Sequence, residues 1–226
     1  MKNLIKKFLG KIDKNYNKPD ARDNYLEKIE LSYLYNMFNI FRDIENCPGH
    51  IIELGVGAGR NEIILGNLLK TTGQNGSGRY FGFDSFKSYT DRDLQIEKGL
   101  NPEKWENNSY DFVSNRIKKH NLDDVSFLIE GDIRETLPQF VTSKALKKGP
   151  NTLFCRLIYI DTSAYEPSIL GLDLLWKHVV PGGLIIIDQR TQGGEWRAAI
   201  EFCEKNKIKP KSINAFNSAP IYLKKE

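Results

Sequence analysis

The sequence predicts an open α/β fold, a parallel sheet covered by helices on both faces. Three observations predict it. From residue 50 onward, short apolar runs rich in isoleucine, leucine and valine alternate with segments of helical periodicity. A glycine-rich turn, Gly55, Gly57 and Gly59, separates the first apolar run from the first of those helical segments. Three of the runs end on an aspartate, Asp84, Asp161 and Asp188. In open α/β sheets, ligands bind outside the carboxyl ends of the strands, near the switch in strand order.

The elements follow in order. Leu4, Ile5, Phe8, Leu9 and Ile12 recur at helical spacing, with Lys7, Lys11 and Lys14 towards the other side. This helix is expected to dock on its own domain or to pair with a second subunit, forming a homo-oligomer through the N-terminal helices. A membrane-surface helix is the alternative. After the polar break "NKPDARD" a helix is predicted over 25–44 and ended by "NCPGH". Then come a strand over 50–54, a helix over 61–70, the loop "TTGQNGSGR" and the strand "YFGFD". A helix over 110–120, the strand "VSFLIEGD" and a short helix over 133–140 follow, and then the strand "LFCRLIYID". A helix over 167–179 leads through "PGG" into the strand "LIIID", a helix over 195–205 and a closing pair of strands within 211–224. The predicted division is an N-terminal helical segment, 1–46, ahead of a single domain, 47–226, without internal repeats.

Composition narrows the class. With 226 residues, 40% hydrophobic and 27% charged, the chain has the make-up of a globular protein with one sizeable core. A net charge of +4 carried on scattered lysines makes no case for nucleic acid. Cys47, Cys155 and Cys203 are odd in number and form no C-x-x-C, which favours reduced thiols and a cytoplasmic protein. No apolar run approaches the roughly 18–20 residues of a membrane span, and "MKNLIKKFLG" has no continuous apolar core of the kind a signal peptide needs.

The glycine turn chooses among ligands. A dinucleotide fingerprint needs G-x-G-x-x-G, but Arg60 stands where the third glycine belongs. No Lys-Ser/Thr follows the glycines, so the phosphate-cradling G-x-x-x-x-G-K-[ST] is absent too. What stands here is E-x-G-x-G-x-G, with Glu53 in the strand itself. A carboxylate beside the turn suits an ammonium-bearing ligand and opposes a pyrophosphate. Asp84 is placed to accept hydrogen bonds from both hydroxyls of a ribose, and "EGD" at 130–132 ends the third strand where an adenine edge would lie. Ribose, adenine and an amino-acid tail together describe S-adenosylmethionine.

"ELGVGAG", "GFDSF" and "EGDIRETLP" resemble motifs of the class I S-adenosylmethionine-dependent methyltransferases. More narrowly, the chain is similar to the macrocin O-methyltransferase family through "ELGVG", "FDSF", "GDIRETLP", "YIDTSAYEPSILGLDLLW", "VPGGLIIID" and "GGEWRAAIEF", in that order over about 50–205. The resemblance implies a Rossmann-like fold, a mostly parallel seven-stranded sheet with helices on both faces and a closing antiparallel strand. It implies Glu53, Gly55 and Gly57 at the methionine end of the cofactor, Asp84 with Ser85 at the ribose, and Asp132 with Ile133 at the adenine.

The family also holds a divalent metal on carboxylates after the fourth and fifth strands, which orients the substrate hydroxyl and lowers its pKa. Here the chain departs from the pattern. The family's D-G-D-x-Y is Asp161-Thr162-Ser163-Ala164-Tyr165, and its Asp-Asp is Asp188-Gln189. Asp161, Asp188 and the Gln189 amide oxygen would still offer Mg²⁺ three hard ligands. Asp161 and Asp188 are the catalytic candidates, with Asp161 the preferred base where no metal is held.

The remaining candidates have blander readings. His178 and His120 fall at helix ends, where histidine caps carbonyls. Cys155 sits inside an apolar strand. Tyr165 and Glu166 follow Asp161 closely enough to face a substrate. Residues 87–109 and "QRTQGGEW" are long loops on the ligand edge, with Tyr89, Trp105 and Trp196 as aromatic surface for a substrate lid. The expected function is methyl transfer from S-adenosylmethionine to a hydroxyl of a small molecule, a sugar or glycosylated metabolite. Ser163 and Gln189 support, as the alternative, a cofactor-binding protein with impaired catalysis. A nicotinamide-dependent oxidoreductase is opposed by Arg60 and Glu53.

Overall fold

A computed structural model describes residues 28–76, 78–143, 153–188, 193–213 and 220–226. The helix expected over residues 4–12 lies outside the described residues, as does Gln189. Seven strands form one sheet: β1 (His50–Leu54), β2 (Tyr80–Asp84), β3 (Ser126–Glu130), β4 (Cys155–Ile160), β5 (Val179–Ile187), β6 (Lys211–Ser212) and β7 (Ile221–Lys224). Their spatial order is β3-β2-β1-β4-β5-β7-β6. β1 to β5 pair in parallel, while β7 runs antiparallel to both β5 and β6.

The long apolar strands follow from burial on both faces, because successive side chains point to opposite sides. Ile52 and Leu54 of β1 join one core with Ile158 and Ile160 of β4 and with Leu172, Ala198 and Phe202 from the helices α6 (Tyr165–Leu175) and α7 (Gly194–Asn206). Ile51 points the other way, into a core with Leu157 and Tyr159. There it meets helices α1 (Lys28–Ile44), α2 (Arg60–Thr71) and α4 (Tyr110–Lys119) through Met37, Phe41, Leu65 and Val113. Helix α5 (Ile133–Thr142) covers β2 from the first side, with Phe140 edge-on to Phe83 at 5.2 Å between ring centres.

Three elements differ from the sequence reading. β5 begins at Val179 and runs through "PGG", because β7 extends beside it: the Gly182 amide donates to Lys225 O at 2.8 Å, and the Lys225 amide to Gly183 O at 2.9 Å. Helix α6 starts at Tyr165 and stops at Leu175, where a 3₁₀ turn, Trp176–His178, takes over. The stretch 87–109, expected as loop, contains helix α3 (Asp91–Ile96) and a 3₁₀ turn, Pro102–Trp105. Thr90 starts α3 with a capping box: its hydroxyl accepts from the Asp93 amide, and the Asp93 carboxylate accepts from the Thr90 amide. Among the described residues, Cys47, Cys155 and Cys203 are unbridged thiols, and no helix is long and apolar enough to cross a membrane.

Candidate active site

The registers Leu54↔Ile160 and Ile160↔Ile187 bring the ends of β1, β4 and β5 level. Asp161 and Asp188 therefore leave adjacent strands side by side, next to the glycine turn. At this edge lies a cleft lined by Gly55, Gly57, Asp84, Ser85, Asp132, Ile133 and Asp161 among others. Of the expected cofactor residues, only Glu53 is absent from this lining.

Two of the glycines have local reasons. Gly55 has φ of 89°, and a Cβ there would collide with the backbone carbonyl of Asp161. Gly57 has φ of 52°, and a Cβ would sit 3.2 Å from the Trp105 ring, which closes over the turn. The turn is held from below by Asp84. Its Oδ2 accepts from the amides of Val56 at 2.8 Å and Gly57 at 2.9 Å, and its Oδ1 from the amide of Phe86 at 2.8 Å. Burial pushes the Asp84 carboxyl up from its ordinary range, and these three amides pull it back. The Ser85 side chain also lowers it, and both residues line the cleft.

Glu53 lies outside the lining. It shares the Ile51 face of β1, is 1% exposed, and turns inward beneath α2. Its Oε1 accepts from Asn61 Nδ2 at 2.7 Å and its Oε2 from the Tyr80 hydroxyl at 2.8 Å. Burial, then the nearby Glu62 carboxylate, push its carboxyl well above the ordinary range. It braces the turn from inside the core and does not meet the cleft.

On the opposite wall Asp132 caps α5, its Oδ1 accepting from the Arg134 amide at 2.9 Å. Burial tends to raise its carboxyl, but the Arg134 side chain and amide hold it below the ordinary value. Ser85 closes a tight turn, its hydroxyl donating to Ser88 O at 2.5 Å. The lid expected from 87–109 is present as wall: Ser88, Tyr89, Thr90, Asp93, Trp105 and Asn108 all line the cleft, and Trp105 Nε1 donates to the Tyr89 hydroxyl at 2.9 Å.

Past the glycine turn, Asp161 opens onto the cleft, while Asp188 lies beside it and outside the lining. Asp188 Oδ1 accepts from the Tyr159 hydroxyl at 2.6 Å. Two residues that the sequence reading did not single out approach this pair. Glu195, in the first turn of α7, is fully buried, and its Oε2 accepts from the Ser163 amide at 3.1 Å. Ser163 presents that amide from a left-handed conformation, φ 59°. Burial first, then the charges of Asp161 and Asp188, push the Glu195 carboxyl well above the ordinary range. From the other side, burial and the same aspartates raise the hydroxyl pKa of Tyr33 on α1, whose ring carries the Arg60 guanidinium 3.6 Å from its centre. Only the "GGE" start of α7 hinted at Glu195, and nothing local marked Tyr33.

Of the expected metal set, Asp161 and Asp188 stand side by side at the ends of β4 and β5. Among the described residues, no group of three or more His, Cys, Asp or Glu side chains is arranged to hold a metal ion. Asp188 is engaged by Tyr159 and Glu195 by Ser163, and Gln189 lies outside the described residues.

The other candidates stand away from the chemistry. His178 Nδ1 donates to Leu153 O at 3.1 Å, and His120 is the C-cap of α4. Cys155 is buried in the sheet, which pushes its thiol pKa up. The Tyr165 hydroxyl bonds Glu201 at 2.5 Å, and Glu166 pairs with Arg92 and Arg134. Trp196 packs against the core beneath α7.

Known proteins place the chain. The family model of the macrocin-O-methyltransferases (TylF) matches residues 30–225. The fold is similar to CalS11, a calicheamicin methyltransferase, at a TM-score of 0.72 and 22% identity, covering 92% of this chain and 87% of that one. A second CalS11 structure, described as TDP-rhamnose 3′-O-methyltransferase, gives a TM-score of 0.66 at 23% identity over 92% and 88% of the two chains. The O-methyltransferase NovP gives 0.69 at 20% identity, over 86% of this chain and 79% of its own. At 14% identity, TomG from Streptomyces achromogenes, an O-methyltransferase solved with S-adenosylmethionine, gives 0.55 over 85% and 80%. At such identities the likeness is one of fold. No curated protein sequence matches the chain.

Proposed function

This chain belongs to the macrocin O-methyltransferase family, and on that premise we propose that it moves the methyl group of S-adenosylmethionine to a hydroxyl of a small molecule, a sugar or glycosylated metabolite. The observation that carries this reading is the cleft itself. It runs from the glycine turn past Asp84 and Asp132 on one side and opens to Asp161 on the other.

When bound, S-adenosylmethionine supplies an electrophilic methyl group on its sulfonium sulfur. The chain supplies the rest. Gly55 and Gly57 let the backbone approach the methionine end, where no side chain intervenes. Asp84 with Ser85 meets the ribose hydroxyls, and Ile133 and Asp132 flank the adenine. Trp105 and Tyr89 wall the cleft against water. Asp161, at the end of β4, is the carboxylate that meets the acceptor: it orients the hydroxyl in line with the methyl and accepts its proton as the new C–O bond forms. Asp188 leaves the neighbouring strand beside Asp161, and the buried Glu195 carboxyl, whose ionisation burial and these two aspartates oppose, stands close to both. CalS11, as a TDP-rhamnose 3′-O-methyltransferase, supports a sugar hydroxyl as the acceptor class.

Two measurements test this. Calorimetry with S-adenosylhomocysteine is expected to show micromolar binding, with none to NAD. Transfer of a labelled methyl group to a panel of free, nucleotide-linked and aglycone-linked sugars is expected to find an acceptor and to survive chelation. Absence of S-adenosylhomocysteine binding overturns the reading. Binding without transfer to any hydroxyl acceptor favours the impaired enzyme instead.

A further inference from the structure

Arg134 is the most heavily engaged side chain of the cleft, and the mechanism above does not use it. It follows Asp132 at the start of α5 and lines the cleft with its side chain 14% exposed. Its Nε and Nη2 grip Asp132 at 2.9 and 2.8 Å, on the wall given to the adenine. Its Nη1 donates to Asp93 Oδ1 and to Glu166 Oε2, both at 2.9 Å. Nη2 also donates to the Thr90 hydroxyl at 2.6 Å. One planar guanidinium thus joins three separate parts of the chain: the β3–α5 junction, the insertion 87–109 through Thr90 and Asp93, and the first turn of α6 through Glu166. Lysine, with a single point charge, has no equivalent fork.

Among the described residues, the insertion makes few other polar ties to the rest of the chain. Its own braces are internal: the Thr90–Asp93 capping box, Ser88 Oγ donating to Pro102 O at 2.7 Å, and Trp105 on Tyr89. At the far end Glu97 accepts from the Tyr165 amide at 3.2 Å and from Arg197 at 2.6 Å. Arg92 reaches Glu166 with a largely exposed side chain. Asp93, 7% exposed, is the buried anchor, and Arg134 is what it is anchored to. The same insertion carries the aromatic wall that covers Gly57.

We infer that Arg134 is a positioning residue for the cofactor: it fastens the insertion to the Asp132 wall, so that the cleft is already shaped when the adenosyl group arrives. The inference rests on the functional reading above and adds to it which residue sets cofactor affinity. Arg134 touches no reacting atom, and its removal acts on binding through the wall, with the chemical step largely spared.

The test uses the full chain and S-adenosylhomocysteine as probe. Arg134→Met and Asp93→Asn are each expected to raise the calorimetric Kd about tenfold or more. Arg134→Lys keeps the charge without the fork and is expected to fall between Arg134→Met and the unaltered protein. The Arg134→Met/Asp93→Asn double variant is expected to bind no worse than the weaker single variant, because both remove one connection. Turnover at saturating cofactor stays near that of the unaltered enzyme. In the ligand-free protein, hydrogen exchange over 88–108 is expected to quicken in each variant while the strands stay protected. Folded Arg134→Lys and Asp93→Asn proteins with unchanged Kd and unchanged exchange overturn the inference, and so does a strictly additive double variant. Should Arg134→Met fail to fold, the other two decide. Unaltered protein that binds no S-adenosylhomocysteine overturns the functional reading instead, and the exchange measurement still reports whether Arg134 holds the insertion.

Discussion

The two ends of the cleft treat their carboxylates in opposite ways. At the cofactor end each acid is met by donors: Asp84 by three backbone amides, Asp132 by the Arg134 fork and amide. At the other end Asp188 takes the Tyr159 hydroxyl and Glu195 the Ser163 amide, and the acids also stand within reach of one another's charge. Asp161 and Asp188 leave neighbouring strands, and Glu195 is pressed behind them in a fully buried position where their charges oppose its ionisation. The difference bears on the roles proposed for the two ends. Carboxylates met by several donors hold backbone in place and build a rigid receptacle. Crowding of carboxylates raises the proton affinity of Glu195, whose ionisation the other two oppose.

The sharpest way to break this contrast is to neutralise one acid at each end. Asp161→Asn is expected to lower kcat by about 100-fold or more, in the range of a lost general base, while leaving the S-adenosylhomocysteine Kd close to its original value. Loss of cofactor affinity with unchanged kcat would move Asp161 to the wrong end of the cleft. Asp84→Ala does the reverse. It leaves the amides of Val56, Gly57 and Phe86 without their acceptor and removes a ribose contact, a loss of about 1.5–3 kcal/mol, so Kd rises at least tenfold. Unchanged calorimetric affinity in a folded Asp84→Ala protein would remove Asp84 from the site.

Glu195→Gln sharpens the comparison at the acceptor end. It replaces a carboxyl whose ionisation is opposed with a neutral amide that still accepts from Ser163, so cofactor binding and turnover near neutral pH are expected to stay close to their original values, while the kcat–pH profile is displaced where Glu195 would titrate. An unaltered profile would make Glu195 a packing residue only.

The smallest effect concerns Glu62, a buried carboxyl on α2 behind the glycine turn, which burial pushes up to about 8. Because the folded pKa lies above the unfolded one, the group costs nothing below the ordinary carboxylate range. Stability falls as pH rises from there, and the loss is complete above about 8. Thermal melts of Glu62→Gln against the unaltered protein are expected to diverge in the variant's favour between pH 5 and about 8 and to run parallel above. A difference that is flat across this window would show that Glu62 does not titrate there.

The sequence by itself determined the architecture and the edge where the site lies. Alternation of apolar runs with helical periodicity is a local property, and so is a glycine turn between strand and helix. Aspartates closing "YFGFD", "LFCRLIYID" and "LIIID" could therefore be assigned to one rim before any packing was known. The Thr90-x-x-Asp93 capping box was equally local and would have marked α3 inside the supposed loop.

Only the tertiary structure decided which way Glu53 turns, what holds the insertion, and what stands behind Asp161. A strand's period shows that Glu53 and Ile51 share a face, but which face is closed depends on where α1 and α2 pack. Arg134 meets Asp93 across 41 positions of chain and Glu166 across 32, and Glu195 reaches Ser163 across another 32. Such partners carry no shared periodicity. They converge because parallel strands with right-handed crossovers deliver distant segments to the same sheet edge, and the hydrogen bonds made there are settled by the packing of whole elements.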